Sequence, residues 1–318
     1  MGERRIGAGS FADAFMAPGV GRNVRLERID GLFKWYRFEK LLKPIRSKIG
    51  RKGYPSLSMF KALLLQQWYG LSDPGLEEAL LDRFSFRRFC GFSLDDATPD
   101  ETTFVRFRAA LAEHAIAEKL FGEVGRQLDR HGLILKTGTL IDASLIEAQV
   151  SRPAGHSGER SVLDPDADWT RRGGSYFFGY KAHVAVDEGS ELIRGATMTS
   201  AKINDTEPAD ELVQGDEKAV YADKAYDTKA RRQRLKAAGI KDRIMRRANK
   251  HQPVLPHWEQ VRNKLIAPIR AAVERTFGVL KRSYGYRRVR YRGLAKNTSH
   301  LFVLCIALNL RRAEKLMA

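Results

Sequence analysis

The segment LILKTGTLIDASLIEAQ, residues 133–149, decides the fold class of this chain. Its β-branched residues and short apolar period predict a strand that follows a turn. One acid, Asp142, interrupts the apolar run between Ile141 and Ala143. Because burying a carboxylate without a partner is costly, Asp142 is expected to face either solvent or a functional site.

Downstream of this strand, short apolar runs and helical segments follow one another. Two further strands, separated by a turn, would form an antiparallel meander with the first one, after a polar loop at 151–175. Strand and helix then alternate, which predicts a mixed α/β layer. The predicted elements are strands at 180–186, 192–199, 219–222 and 240–245, and helices at 206–214, 228–238 and 269–282.

Upstream of the first strand, helical periodicity dominates the sequence. Gly70 follows a broad apolar face and predicts a helix end, and Pro74 stands where a first helical turn accepts proline. Thr98 and Glu101 have the spacing of a capping box. The predicted helices occupy 58–69, 73–89, a stretch from 98 onward, and 116–131.

This organisation predicts two domains with short ends. Residues 1–24 are small and Gly-rich and are expected to be disordered. A helical domain is expected over 25–131, with Trp35 and Trp68 in its core. An α/β domain is expected over 132–312, followed by a tail at 313–318.

Charge is the first indication of function. The chain has a net charge of +18, and the segment Lys224–Arg292 holds 21 Lys and Arg against four acids, a net +17. Because ordinary surfaces mix both signs, a one-signed segment favours a polyanion as partner. No amphipathic anchor accompanies it, so nucleic acid is favoured over a membrane surface.

Other features argue against membrane insertion and secretion. The longest apolar run, Leu301–Leu308, is too short to span a bilayer. The N-terminal segment has no apolar signal-peptide core, so a cytoplasmic protein is expected. Cys90 and Cys305 lie in apolar helical contexts and are expected to be buried thiols.

Three acids stand where chemistry could occur. Asp142 lies within a strand, Asp223 ends the apolar run AVYA, and Glu274 is the one acid among ten Lys and Arg between Gln260 and Arg292. Carboxylates from two strands and a helix can converge on hard divalent cations. Two such ions about 4 Å apart can activate a water or a 3′-hydroxyl for in-line displacement at phosphorus.

Alternatives remain open from the residues alone. Glu274 could equally be a surface partner of Arg270 or Lys281. Paired carboxylates also occur in glycosidases, but that chemistry gives no reason for the basic segment. His183, His251 and His257 lack metal-ligand spacing and are expected to be structural, and Trp258 is expected to be packed. Four other acids could fill the same roles: Asp187, Asp205, Asp210 and Asp227.

The segment RAAVERTFGVLK, residues 270–281, resembles the tyrosine–arginine–glutamate–lysine signature of DDE transposases from bacterial insertion sequences. Three residues separate Arg270 from Glu274, and six separate Glu274 from Lys281, as in that signature. The tyrosine position departs from the pattern, because residue 267 is Ala267.

The resemblance extends, block by block, over about residues 25–312. TLIDASLIEA is similar to the family's first-aspartate strand, GYKAHVAVD to its next strand, and YADKAYD to its second-aspartate block. MFKALLLQQWYGLSDPGLEEALLDRFSFRRFCGF, residues 59–92, resembles the N-terminal helical domain of the insertion sequence five branch of the four/five superfamily.

The resemblance implies a ribonuclease H-like catalytic core over 132–312, with a basic connection at about 224–268. Asp142, Asp223 and Glu274 would form a metal-binding triad that holds two Mg²⁺ ions, and Mn²⁺ could replace Mg²⁺. The basic residues expected to contact DNA are Arg270, Lys281, Arg275, Lys181, Arg282, Arg287 and Arg288. Arg270 and Lys281 lie at i−4 and i+7 from Glu274 and would project to one side of the helix.

The implied function is transposition: cleavage at terminal inverted repeats, then attack of the freed 3′-hydroxyl on target DNA. The implied partners are double-stranded DNA and a second copy of the chain in a synaptic complex. The helical domain could bind repeats, dimerise, or both. Two alternatives are a nuclease without strand transfer and a catalytically inactive DNA-binding repressor.

Overall fold

The computed structural model describes residues 3–9, 19–45, 52–151, 153, 161–248 and 253–318. Its backbone divides into two compact units. The first unit comprises Met1–Arg130 and Phe302–Ala318, and the second comprises His131–Leu301.

The first unit is helical. Its helices are α1 Val24–Leu32, α2 Trp35–Leu42, α3 Ser56–Tyr69, α4 Asp73–Asp82, α5 Phe84–Cys90, α6 Glu101–Glu113 and α7 Ile116–Arg130, with a 3-10 turn at Lys43–Ile45. Gly70 ends α3 in the left-handed conformation, with φ 63°. The helical character predicted for this part of the chain is therefore confirmed.

Two local predictions in this unit are wrong. The single helix predicted for 73–89 is two helices, because the backbone is extended at Arg83. The capping box predicted at Thr98 does not form. Instead, Asp100 caps α6 by accepting a hydrogen bond from the Thr103 amide at 2.7 Å.

The final helix, α10 at Leu294–Leu316, begins in the second unit, and its residues from Phe302 onward belong to the first. The Trp68 indole donates to the Ala307 carbonyl at 2.8 Å, and Arg311 donates to the Trp68 carbonyl at 2.8 Å. Trp68 is therefore a core residue, as expected, whereas Trp35 is half-buried. The α/β domain was predicted to extend to residue 312. In the structure the second unit ends at Leu301, because the apolar stretch of α10 packs in the first unit.

The N-terminal prediction also differs from the structure. Residues 1, 2 and 10–18 lie outside the described residues. Of the others, Glu3 accepts a hydrogen bond from the Ser56 amide at 2.9 Å, and the Gly7 amide donates to Asp96 at 2.7 Å. These bonds attach residues 3–9 to the helical unit, which the expectation of disorder over 1–24 did not anticipate.

The second unit contains a six-stranded mixed sheet. Its strands are β1 Thr139–Glu147, β2 Asp168–Arg172, β3 Ser175–Asp187, β4 Ile193–Ser200, β5 Ala219–Ala222 and β6 Lys241–Ile244. Along the sheet, β4 and β1 pair with β3 antiparallel, β5 pairs with β1 parallel, and β6 pairs with β5 parallel. The predicted meander followed by strand–helix alternation, and thus the mixed α/β class, is confirmed.

The helices of this unit are α8 Lys229–Ala237 and α9 His257–Ser283, with 3-10 turns at Pro208–Asp210 and Lys224–Tyr226. The helix predicted for 206–214 is only the short turn at Pro208–Asp210. The basic connection expected over 224–268 is mostly ordered structure, since it holds α8, β6 and the first half of α9. The polar loop predicted for 151–175 contains β2; residues 152 and 154–160 lie outside the described residues.

Two further predictions concern burial and membrane insertion. Cys90 and Cys305 are free and buried, as expected. Among the residues that the structure describes, none of the helices combines the length and the apolar character needed to cross a membrane.

Candidate active site

The first two acids meet because their strands are neighbours. β1 and β5 run parallel, with Thr139 opposite Val220 and Leu140 opposite Tyr221. Asp142 and Asp223 each follow the first of these pairs by three residues. Because the strands are adjacent and in this register, the two carboxylates lie at the same place and line one cavity.

Asp223 is held in position by the turn that it begins. Its Oδ1 accepts a hydrogen bond from the Lys224 amide at 2.5 Å, and it caps the 3-10 turn Lys224–Tyr226. A short polar side chain at a helix start satisfies an amide that would otherwise lack a partner. The capping bond uses one carboxylate oxygen and leaves the other available to a ligand.

The third acid comes from helix α9, which packs against β1 and β5. Arg270 lies one helical turn before Glu274 and forms an ion pair with it. The same guanidinium lies 3.3 Å from Asp142 Oδ2. Arg270 therefore links Asp142 on β1 to Glu274 on α9. The alternative that Glu274 pairs with Arg270 is also correct, since this ion pair forms.

The charges of the three acids influence one another. The pKa of Asp142 is raised from its ordinary range to about 6, first by burial and then by the charges of Asp223 and Glu274. The Ala143 amide and Arg270 act in the opposite direction. An effect of both charges on Asp142 requires Asp223 and Glu274 to be near it.

A cavity of about 270 Å³ opens beside these groups, and we call it the acid cavity. Its lining residues are Asp142, Ala143, Ser144, Leu145, Thr170, Arg171, Arg172, Lys181, Asp205, Asp223, Ala225 and Tyr226. Glu274 is not among them; its side chain is 57% exposed. The Tyr226 hydroxyl is buried and has no hydrogen-bond partner among the described residues, while burial and the neighbouring acids raise its pKa and keep it protonated.

Asp205 and Lys181 form a pair inside the acid cavity. Lys181 Nζ lies 2.8 Å from Asp205 Oδ1 and donates to the Ile203 carbonyl at 2.7 Å. Lys181 is only 12% exposed. It was expected to contact DNA; the structure places it at the acids with a carboxylate already beside it.

The other three acids left open by the sequence have structural partners. Asp187 is fully buried and accepts hydrogen bonds from the amides of Leu135 and Lys136 at 3.0 Å. The remaining two are each paired with arginines: Asp210 with Arg231 and Arg234, and Asp227 with Arg232 and Arg246. Asp205 alone of the four lies at the candidate site.

The arginine pair Arg171–Arg172 is a part of the site that the sequence analysis missed. Both residues line the acid cavity from β2, which was assigned to a loop. The signal was present, because two short runs separated by Gly173-Gly174 are typical of a β-hairpin. Without that hairpin, no pattern in the sequence placed these residues near Asp142.

Apart from Arg270 and Lys181, the cations expected to contact DNA fall into two groups. Arg275 pairs with Glu191, and Arg288 lies 3.2 Å from Glu147. Lys281, Arg282 and Arg287 instead line a second cavity in the same unit.

The aromatic and histidine predictions have mixed outcomes. Trp258 is 63% exposed, so the expectation that it is packed is wrong. His183 is buried and its Nε2 lies 2.9 Å from Thr199 Oγ1, as expected of a structural histidine, and burial lowers its pKa to about 4. His257 begins α9, and His251 lies outside the described residues.

The donors present suit a hard divalent cation, because all three acids offer carboxylate oxygens. Within the described ranges, no three Asp, Glu, His or Cys side chains are grouped closely enough to share one ion. Arg270 lies between Asp142 and Glu274 and bonds to both. Binding of a cation by both acids would therefore require Arg270 to release them.

The raised pKa of Asp142 predicts a stability change that depends on pH. Because the folded protein holds this proton more tightly than the unfolded chain, the contribution to stability is full below pH 4 and is lost as the pH rises toward 6. Asp142→Asn should therefore raise the free energy of unfolding at pH 7.5 by about 1–3 kcal/mol. At pH 4 the gain should disappear.

Urea denaturation in EDTA, at both pH values, measures this difference. Glu211→Gln is the matched control, since Glu211 is an exposed acid of the same unit. If Asp142→Asn raised the free energy of unfolding equally at both pH values, the effect would not come from the proton.

Comparison with known families gives two matches. A model described as a transposase DDE domain matches residues 134–310. A second model, described as a transposase domain (DUF772), matches residues 18–110. No solved structure matches the chain.

Proposed function

The chain belongs to the DDE transposases, and on that premise we propose that it cleaves DNA at transposon ends and joins the freed ends to target DNA. The observation that carries the proposal is the meeting of Asp142 and Asp223 on adjacent parallel strands, with Glu274 tied to Asp142 through Arg270. Acids from two strands and one helix at a shared edge are what a phosphoryl-transfer site needs.

Asp142, Asp223 and Glu274 are the proposed holders of Mg²⁺ or Mn²⁺, in two ions. When bound, such ions make a water or a 3′-hydroxyl a better nucleophile and stabilise the leaving oxygen. The carboxylates of the three acids supply the negative charge that attracts a cation to an otherwise basic region. The capping bond of Asp223 and the strand backbone around Asp142 keep two of the three groups in place.

Arg270 is proposed to exchange partners when the site is loaded. Its guanidinium bonds to two acids, and its Nε is buried without a hydrogen bond in the described part of the chain. A guanidinium released from carboxylates suits a phosphate, because both present two oxygens to its fork of donors. Arg270 would then hold the phosphate at the point of cleavage.

The finer assignments belong to the same proposal. A ribonuclease H-like core is supported by the family match and by the mixed sheet, whose strand β1 carries Asp142. Double-stranded DNA as partner is supported by the net +17 of the segment Lys224–Arg292. Membership of the insertion sequence five branch, and pairing of two copies on two DNA ends, rest on the sequence resemblance.

The function is tested by following both reaction steps in one tube. Purified protein is incubated with labelled DNA that carries the ends of its element, with an unlabelled plasmid as target, and with Mg²⁺ or EDTA. We expect nicks at the ends that require Mg²⁺, and labelled ends covalently joined to the plasmid. Nicks without joined product would indicate a nuclease, and binding without nicks would indicate a repressor; either outcome would overturn the proposal.

A further inference from the structure

The second cavity in the α/β unit is strongly basic. It has a volume of about 610 Å³, and we call it the basic cavity. Its charged lining residues are Arg172, Lys281, Arg282, Arg287 and one acid, Glu147. That acid is already engaged, because Glu147 lies 3.2 Å from Arg288.

Three of the cations around this cavity have no ion-pair partner in the described part of the chain. Among the residues that the structure describes, no carboxylate lies within ion-pair distance of Arg172, Lys281 or Arg287. Burial lowers the pKa of Lys281, and the charges of Arg172 and Arg287 lower it further, while Glu147 acts in the opposite direction. Because like charges held together are unfavourable, an anion bound in the cavity would stabilise this cluster.

The basic cavity adjoins the acid cavity. Leu145 and Arg172 line both. Asp142 and Leu145 are three residues apart on β1, which is about 10 Å at the rise of a strand. Glu274 and Lys281 are seven residues apart on α9, which is also about 10 Å at the rise of a helix. A strand of a DNA duplex advances about 3.4 Å per nucleotide along the helix axis and its phosphates lie farther apart than that, so both distances correspond to at most about three nucleotides.

Arg172 lies where the acid cavity meets the basic cavity, because it is the last residue of β2 in the β2–β3 hairpin. The first five residues of β3 pair with β2, with Arg172 opposite Ser175. The Trp169 ring packs on Phe178, with centroids 5.2 Å apart, and fixes the base of the hairpin. The guanidinium is exposed and has a rigid support, a combination that suits a group that positions a substrate.

We propose that Arg172 is a substrate-positioning residue, which holds the sugar–phosphate backbone of the cleaved DNA strand between the acid cavity and Lys281. One strand would then pass from the three acids, along the β2–β3 hairpin, into the basic cavity. This inference rests on the proposed function. It adds the hairpin and a definite path for the strand, which the family match does not supply.

The test replaces single phosphates by neutral methylphosphonates, at each of the first six positions on either side of the cut. With the wild-type protein, we expect cleavage to fall about tenfold at one position within about three nucleotides of the cut. Arg172→Ala should lower cleavage of unmodified DNA by about the same factor, the value of one charge-assisted contact. On DNA that carries the methylphosphonate at that position, Arg172→Ala should cause little further loss.

The controls separate contact from structure. Arg172→Lys should recover part of the lost rate, since it keeps the charge but not the two-bond fork. Lys218→Ala removes a charge from an exposed residue just before β5, at the end of that strand opposite Asp223. This variant should cleave unmodified DNA at close to the wild-type rate, and each methylphosphonate should lower its rate by the same factor as it lowers that of the wild-type protein. A full-sized Arg172→Ala loss on every modified DNA, or no loss on any DNA, would overturn the inference while leaving the proposed function intact. Wild-type protein that cleaves no DNA would overturn both.

Discussion

Replacing any one of Asp142, Asp223 and Glu274 by its amide should lower the rate of DNA cleavage by at least about 10³-fold, as removal of a central catalytic group does in other enzymes. An amide keeps the shape of the side chain but removes the negative charge that holds a divalent cation. The loss should be similar for the three variants, because each is proposed to hold the same ions. Initial rates on end-containing DNA with saturating Mg²⁺ provide the measurement.

Binding of DNA provides the control for these variants. The basic segment is intact in all three, so their affinity for the same DNA should change by no more than a few fold. Asp205→Asn is an informative comparison, because Asp205 lines the acid cavity but pairs with Lys181. If an amide at Asp142 or Asp223 left cleavage within tenfold of wild type, the assignment of the triad would be wrong.

Arg270→Ala should lower the maximal cleavage rate by roughly 10²-fold, the effect of losing one preorganised charge donor at a transition state. In the structure Arg270 lies 3.3 Å from Asp142 and bonds to Glu274. Because Arg270 is proposed to leave both acids when the site is loaded, the expected loss is that of the clamp on the scissile phosphate. Single-turnover rates at saturating DNA separate this effect from weaker binding.

Two variants help to interpret the Arg270 result. Arg270→Lys should recover only part of the rate, because an ammonium cannot reproduce two bonds in a fixed plane. Lys218→Ala removes a charge at the end of β5 opposite Asp223, and its single-turnover cleavage rate should remain close to that of the wild-type protein. If Arg270→Ala weakened binding but left the single-turnover rate unchanged, Arg270 would be a simple binding residue.

The sequence predicted the parts of the site that follow local rules. Asp142 lies within β1 and Asp223 directly follows the buried strand β5, as the sequence pattern predicted. The signature spacing placed Arg270 and Glu274 on one helical face, and they bond across one turn. These features depend on residues close together in the chain, which is why they could be predicted.

The parts that were missed depend on tertiary contacts. α9 was expected to begin after Pro268, since proline normally ends a helix. It begins at His257 instead, with Pro268 inside. Arg262 donates to the Ile244 and Asp242 carbonyls at 2.7 and 2.8 Å, so the first half of the helix is held by β6.

The position of Asp205 could not be inferred for a similar reason. It lies after β4 and directly before the segment 206–214, where a helix was predicted and only a 3-10 turn forms. Its place in the acid cavity arises because Lys181 on β3 pairs with it across the sheet. No spacing in the chain distinguishes Asp205 from Asp187, Asp210 and Asp227.

The central claim is that three carboxylates, distant in sequence, hold the same metal ions, and the most direct test is to locate a bound ion on the chain. The protein would be loaded with Fe²⁺ in place of Mg²⁺, treated with ascorbate and peroxide, and its fragments mapped by mass spectrometry. Hydroxyl radicals cut the backbone next to the ion. We predict cuts close to Asp142, Asp223 and Glu274 that are suppressed by excess Mg²⁺ and lost in Asp142→Asn. Cuts at other places, or a pattern unchanged in Asp142→Asn, would contradict the claim.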